Sequence, residues 1–193
     1  MSENPGSTAP TAFQRILSGR RSIRRYLETP VETEKLRACL EAARLAPSAH
    51  NVQPWRFIVV DEPGLKDRVA AAAFSGIYSG SKFAARAPVL LVLLAKPGGA
   101  AVRAGSKLLG VPFHFLDMGI AGEHVVLQAE ELGLATCWMG WFDHRRVRKA
   151  LAIPRGFKIV ALMPLGYAEK RPMREPPRRT LEEIVTFNGA PRE

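Results

Sequence analysis

Two cysteines, Cys39 and Cys137, are all that this 193-residue chain carries. They are too few for a disulfide framework and lack metal-ligand spacing, so a reducing, cytoplasmic setting is the expectation. Long apolar runs are missing as well. The longest, Ala87 to Ala95, falls far short of the ~20 residues a membrane-spanning helix requires, so no membrane partner is expected. The opening MSENPGSTAPT has neither the basic start nor the apolar core of a signal peptide, and residues 1–11 read as a disordered lead. There is no Gly-x-Gly-x-x-Gly, no Walker loop, no His-Glu-x-x-His and no Gly-x-Ser-x-Gly elbow. Internal repeats are absent too.

Acidic side chains are the other shortage: 18 Asp and Glu face 28 Lys and Arg, a net charge of +10. Four basic residues fall in each of three stretches, 20–25, 145–149 and 171–179. Nucleic acid is one partner that such charge suits. No helix-turn-helix, zinc finger or RNA-binding aromatic motif accompanies the clusters, which sets that reading behind two others. A bound phosphate-bearing cofactor would use Arg, and the remainder is solvated surface. Hydrophobic content of 47% with 24% charged residues is that of a globular protein, and the chain is long enough to bury about 70% of its unfolded surface. Residues 12–193 are therefore expected to form one domain, with 168–193 as a C-terminal extension.

Periodicity places the elements. Phe13, Ile16 and Leu17 mark a first helix that Gly19 can stop. Thr29-Pro30-Val31-Glu32 has the form of a capping box, and Leu36, Leu40 and Ala43 trace the buried stripe of a second helix ended by Pro47. Trp55 to Val60 and Val89 to Leu94 read as strands, with helix over Leu65 to Ala73 between them. The Gly-rich segment Lys96 to Pro112 is weakly patterned and reads as a loop with at most a helical turn. A long central helix follows from about Phe113 to Leu132, ended by Gly133. Asp143 caps another helix, and Lys158 to Leu165 is a buried strand. Elements that alternate in this way argue for an α+β fold, a helix-covered sheet.

The stretch from Arg20 to Val60 says most about chemistry. Its guanidiniums suit a phosphate, because Arg presents a planar fork of charged donors. Its loop Ala-Pro-Ser-Ala-His-Asn-Val-Gln-Pro-Trp suits a flat heteroaromatic ring, whose amide-like edges Ser and Asn groups can pair with. Phosphate at one end and a ring at the other describe a nucleotide-like cofactor.

Arg-Arg-Ser-Ile-Arg and Ala-Pro-Ser-x-x-Asn-x-Gln-Pro-Trp resemble the FMN-dependent nitroreductase family. The likeness runs on through Asp117-Met118-Gly119-Ile120-Ala121, Leu132 to Gly140, Met163 to Tyr167 and Arg179 to Val185, in the family's order. It implies a central mixed β-sheet covered by helices, in an intertwined homodimer whose C-terminal tail crosses to the partner. It implies FMN contacts from Arg20, Arg21, Ser22 and Arg24, with Arg24 at the N1/O2 edge of the ring, where a cation stabilises the anionic reduced flavin. The loop residues Pro47, Ser48, Ala49 and Asn51 would reach the flavin from the other protomer. Ser79 and Lys82 align with contacts to the ring edge. Met139 and Gly140 align with main-chain N–H groups that bond N5 and O4, and either Arg178 or Arg179 with a phosphate contact.

Each group has a plainer account. The basic run can be solvated surface, the 47–54 loop a helix terminator, Lys82 a surface lysine, and Trp138 and Trp141 packing residues. His50 departs from the small residues common at its place. Cys137, without a His partner in sequence context, reads as a small buried hydrophobe.

By resemblance the expected activity is FMN-dependent reduction of small electron-poor acceptors, nitroaromatics or quinones, with NADH or NADPH as donor in a ping-pong order. No side chain is assigned as nucleophile or acid–base catalyst and no metal is expected, because the flavin carries the reaction. The acceptor pocket would lie partly in the Lys96 to Pro112 region. Relatives that fragment reduced flavin to make the cobalamin lower ligand, or oxidise peptide-derived azolines, remain alternatives. A non-catalytic flavin- or nucleic-acid-binding protein is another.

Overall fold

Alternate residues of one fully buried strand face two different cores, and the rest of the molecule is arranged around that strand. The computed structural model describes residues 9–173 and 175–190, without the side chains of 100–103. The central strand is β2 (Val89–Ala95). It lies between β1 (Trp55–Val60) and β4 (Lys158–Gly166), and the short β3 (Ala135–Thr136) borders β4, giving the order β1-β2-β4-β3. All three pairings are antiparallel. A parallel bridge between Ser22 and Thr136 extends the β3 edge and supplies the mixed character.

Successive side chains of a strand point to opposite faces. Val89, Leu91, Leu93 and Ala95 therefore meet the long helix α5 (Phe113–Glu131), through Met118, Ala121 and Val125, with α2 (Thr33–Arg44) behind it. Leu90, Val92 and Leu94 meet α3 (Pro63–Ala73), the 3-10 turns of Gly76–Arg86 and α6 (His144–Ala150). In β4 the pairing slips between Leu93 and Leu94 of β2, which leaves Val160 as an extra residue. Val160 and Ala161 consequently both serve the α5 face, while Ile159 and Leu162 serve the other. Gly122 of α5 is required by close approach: a Cβ there would lie 2.2 Å from the ring of Trp138. Gly133, at φ 74°, ends the same helix where an L side chain would be strained.

Several expectations change in the folded chain. The helix α2 starts at Thr33 with Glu32 as its cap, and no side chain there caps it. Thr29-Pro30-Val31-Glu32 is not a capping box because the chain is still extended at Glu32, whose carboxylate instead accepts from Tyr167 Oη at 2.6 Å and Lys35 Nζ at 3.1 Å. The first helix, α1 (Ala12–Gly19), leaves through an extended Arg20, and Gly19 adopts no left-handed conformation. The segment read as a loop holds a ten-residue helix, α4 (Ala100–Leu109), closed by Gly110 at φ 67°. Its Leu108 and Leu109 are 86% and 65% exposed, and its described side chains form no buried stripe.

The extension also has more to hold than its composition suggests. Arg171 forms a two-pronged ion pair with Glu130, at 2.6 and 2.8 Å, and donates to the Leu134 carbonyl. Further along, α7 (Leu181–Ile184) and Phe187 leave their apolar side chains exposed. Residues 1–8 of the expected lead lie outside the described residues.

Candidate active site

After α1 the chain runs extended along the β3 edge. Ile23 N–H donates to the Thr136 carbonyl, and the buried side chains of Ile23 and Tyr26 anchor the segment in the core. Tyr26 Oη donates to the Ile23 carbonyl at 2.8 Å. Its ionisation is pushed far up, chiefly by burial, so it acts as a hydrogen-bonded core residue. With those two side chains inward, Arg20, Arg21, Ser22 and Arg24 face a cleft of about 580 Å³. The opposite wall is the C-terminal extension, through Pro172, Glu175, Pro177 and Arg178. The structure thus joins the two basic stretches that the family resemblance assigns to phosphate. Arg178 lines the cleft, whereas Arg179 is not part of its wall.

The donor set of this cleft fits a phosphate-bearing group. Arg20, Arg24 and Arg178 have no ion-pair partner among the described residues. Arg21 reaches Glu175, the acid in the wall, at 3.4 Å, while its buried Nε has no hydrogen-bond partner among the described residues. A buried N–H left unpaired costs roughly 1–3 kcal/mol, so an oxygen-rich ligand would relieve it. Beneath the cleft lies Cys137. Burial pushes its thiol up against the opposing pull of Arg24, Arg20 and the Ser22 hydroxyl, which leaves it a packed thiol of the core.

The loop Pro47–Asn51 is built differently. His50, Asn51 and Gln53 have φ of 51°, 53° and 48°. Such backbone is sparsely populated by L residues and persists only where surroundings enforce it. Here the Ala49 N–H donates to Asp117 Oδ1 at 3.0 Å, and the Gln53 N–H to Ser48 Oγ at 2.9 Å. Gln53 Nε2 also donates to Asn51 Oδ1. Ser48 and Asn51 acceptor oxygens therefore brace the loop, leaving the Ser48 hydroxyl proton and the Asn51 amide N–H groups to offer a ligand. None of Pro47, Ser48, Ala49 and Asn51 lines the arginine cleft of its own chain.

Asp117 is a site-building residue that sequence reasoning quoted but did not assign. It is buried, and a carboxylate in the otherwise apolar core face of α5 was the available signal. Pro172, Glu175 and Pro177 were also missed, because only the folded tail brings them opposite Arg20.

Past β3 the chain continues through Trp138 to Trp141. Met139 forms a bridge with Leu162, its N–H donating at 2.9 Å and its carbonyl accepting at 3.0 Å. This corrects the expectation that the Met139 N–H awaits a ligand. Gly140 is exposed, and its N–H has no hydrogen-bond partner among the described residues. The turns of Gly76–Arg86 pack here: Ser81 Oγ donates to the Trp141 carbonyl, and Trp141 Nε1 donates to the Ile77 carbonyl. Ser79 and Lys82 are exposed on the same turns and do not line the arginine cleft.

A helix-flanked antiparallel sheet with an arginine cleft along its β3 edge defines an α+β protein equipped for an anionic ligand. The chain belongs to the nitroreductase family, whose model matches residues 17–167. It is 37% identical to an NADH dehydrogenase of Thermus thermophilus, over 77% of this chain and 82% of the other. A nitroreductase family protein of Clostridium novyi NT matches it at TM-score 0.71 and 32% identity, covering 82% of this chain and 88% of that one. An FMN-dependent nitroreductase of Clostridium difficile R20291 matches at TM-score 0.72 and 28% identity, over 90% and 98% of the two chains. No helix among the described residues is long and apolar enough to cross a membrane.

Proposed function

We propose that this chain is an FMN-dependent NAD(P)H oxidoreductase that reduces small electron-poor acceptors, nitroaromatics or quinones. The observation that carries the reading is the convergence of Arg20, Arg21, Ser22 and Arg24 with Arg178 on one cleft whose buried Arg21 Nε lacks a partner. Bound FMN would supply hydride and electron transfer at its ring. Arg20, Arg21, Ser22 and Arg178 would hold the phosphate and ribityl chain. Arg24 would set a cation beside the pyrimidine edge of the ring, and the Gly140 N–H would donate to it. Thr136, which pairs with Ser22, and Gly140 are four residues apart, at most about 14 Å of extended chain, a span that would let one cofactor reach both.

Ser48 and Asn51 would complete the site from a second copy, in a homodimer, since they do not line the cleft of their own chain. The exposed Leu181, Ile184 and Phe187 would pack on that partner. Donor and acceptor would use the same open face in turn, a ping-pong order, with no side chain as nucleophile. Free, buried cysteines accord with a cytoplasmic setting.

The test is an absorption spectrum of the purified protein with FMN quantified per chain, before and after anaerobic NADPH or NADH, followed by a quinone. Near one FMN per chain, bleached by the nicotinamide and restored by the quinone, is the expected result. Arg20→Ala should weaken FMN roughly tenfold or more, the loss of a charge-assisted hydrogen bond worth about 1.5–3 kcal/mol. A colourless protein that gains no FMN on reconstitution would overturn the reading.

A further inference from the structure

A second cavity, of about 410 Å³, opens where the loop after β2, the end of α4 and the beginnings of α5 and β4 meet. Pro97, Pro112 and Phe113 give it an apolar part of its lining. Lys107, Lys158 and His114 also line it, and among the described residues no carboxylate does. Both lysines are exposed and without an ion-pair partner among the described residues. Apolar side chains gathered in one cavity beside unopposed charge distinguish it from an ordinary solvated basic face, where apolar surface is scattered. His114 bears out the missing counter-charge: burial first, then Lys158, hold its imidazole below the ordinary range, and Asp117 opposes them only in part. The start of α5, which no side chain caps, adds a partial charge of the same sign.

We propose that this cavity binds a small aromatic carboxylate, its ring on Phe113, Pro97 and Pro112 and its carboxylate between Lys107 and Lys158. A lysine is a compact, hydrated point charge, suited to a single carboxylate at an open rim, whereas forked arginines favour the phosphate assigned to the first cleft. An aromatic ring offers Phe113 an offset or edge-on contact that an aliphatic acid of equal charge would lack. The cavity draws on the 96–112 segment expected to contribute to the acceptor pocket. It shares no lining residue with the arginine cleft, and the proposed contacts involve no flavin atom, so it is testable apart from the oxidoreductase reading.

Benzoate titrated into the full-length purified protein, with the His114 ring resonance followed by NMR, is the direct test. Benzamide serves as the neutral isostere. Saturable benzoate binding at least tenfold tighter than that of benzamide, with an upward shift of the His114 titration, is expected. The double variant Lys107→Gln, Lys158→Gln should lose that preference while keeping its thermal midpoint and its FMN content. Equal affinity for benzoate and benzamide, or unchanged benzoate affinity in the double variant, would overturn the proposal. So would a benzoate response confined to flavin absorbance with His114 silent.

Discussion

The segment 20–26 and the loop 48–53 are assigned to the same cofactor, yet they reach their shapes by opposite means. The first is ordinary extended chain, pinned by Ile23 and Tyr26 in the core and by a main-chain bond to Thr136. Its arginines stay outward without cost to the backbone, and any residue could take those dihedral angles. The second carries three L residues at positive φ and is held to the core by one buried carboxylate, Asp117. Apolar anchoring tolerates change in the functional side chains. Anchoring through a single polar contact ties the loop's shape to one residue on another helix.

The comparison can be broken most forcefully at Tyr26. Tyr26→Ala removes a fully buried ring from beneath the arginines and should cost about 3–5 kcal/mol of stability, as large-to-small aromatic changes do. Urea denaturation measures it; a loss under 1 kcal/mol would mean that the segment is anchored by its backbone instead. Asp117→Ala should come next, at about 1.5–3 kcal/mol for a charge-assisted bond to a part-buried N–H. Amide exchange should then quicken at Ala49 more than at Ile23. Equal acceleration at both sites would erase the distinction between the two anchors.

Glycine substitution sharpens the contrast at smaller scale. His50→Gly relieves a left-handed L residue and should be neutral or stabilising by up to roughly 1 kcal/mol, whereas Arg24→Gly, in extended backbone, should destabilise by about 0.5–1 kcal/mol. Thermal unfolding of the pair tests the sign. If both destabilise, the loop's positive φ values are not a source of strain.

The smallest effect is expected at the exposed latch between α2 and the end of β4. The Tyr167 hydroxyl, then main-chain and Lys35 contacts, lower the Glu32 carboxyl to about 2. A depressed folded-state value contributes stability above the unfolded pKa, ordinarily about 4.3, and loses it as pH falls towards 2. Tyr167→Phe should therefore shallow the acid limb of the stability–pH curve between those values and change little at pH 7. Because the group is exposed, solvent screening keeps the effect small. An unchanged acid limb would show that the latch is formed without consequence.

Much of this was legible in local pattern. The strands Trp55–Val60 and Val89–Ala95 were visible because apolar, β-branched runs bounded by turn residues have few other uses. The end of α5 at Gly133 was visible because a left-handed residue favours glycine. The basic run and the Pro-Ser-Ala-His-Asn loop were visible as chemistry because residue type sets which groups can meet a phosphate or a ring. What failed were features whose signal is a partner. Glu32 looked like the closing residue of a capping box, but the helix starts after it and Tyr167, 135 positions away, occupies its carboxylate. The helix α4 showed no apolar pattern facing a core, and its Leu108 and Leu109 face outward. Met139 looked open until Leu162 took both of its main-chain groups.

Sequence alone therefore determined most element types, the guanidiniums suited to a phosphate and the family, since these depend on periodicity and residue chemistry within short windows. Only the tertiary structure decided that Arg178 rather than Arg179 lines the cleft, that Asp117 braces the 48–53 loop, and that Lys107 and Lys158 share one cavity. Those facts rest on contacts between segments far apart in the chain, where a few ångströms of packing choose the partner and nothing in local pattern records the choice.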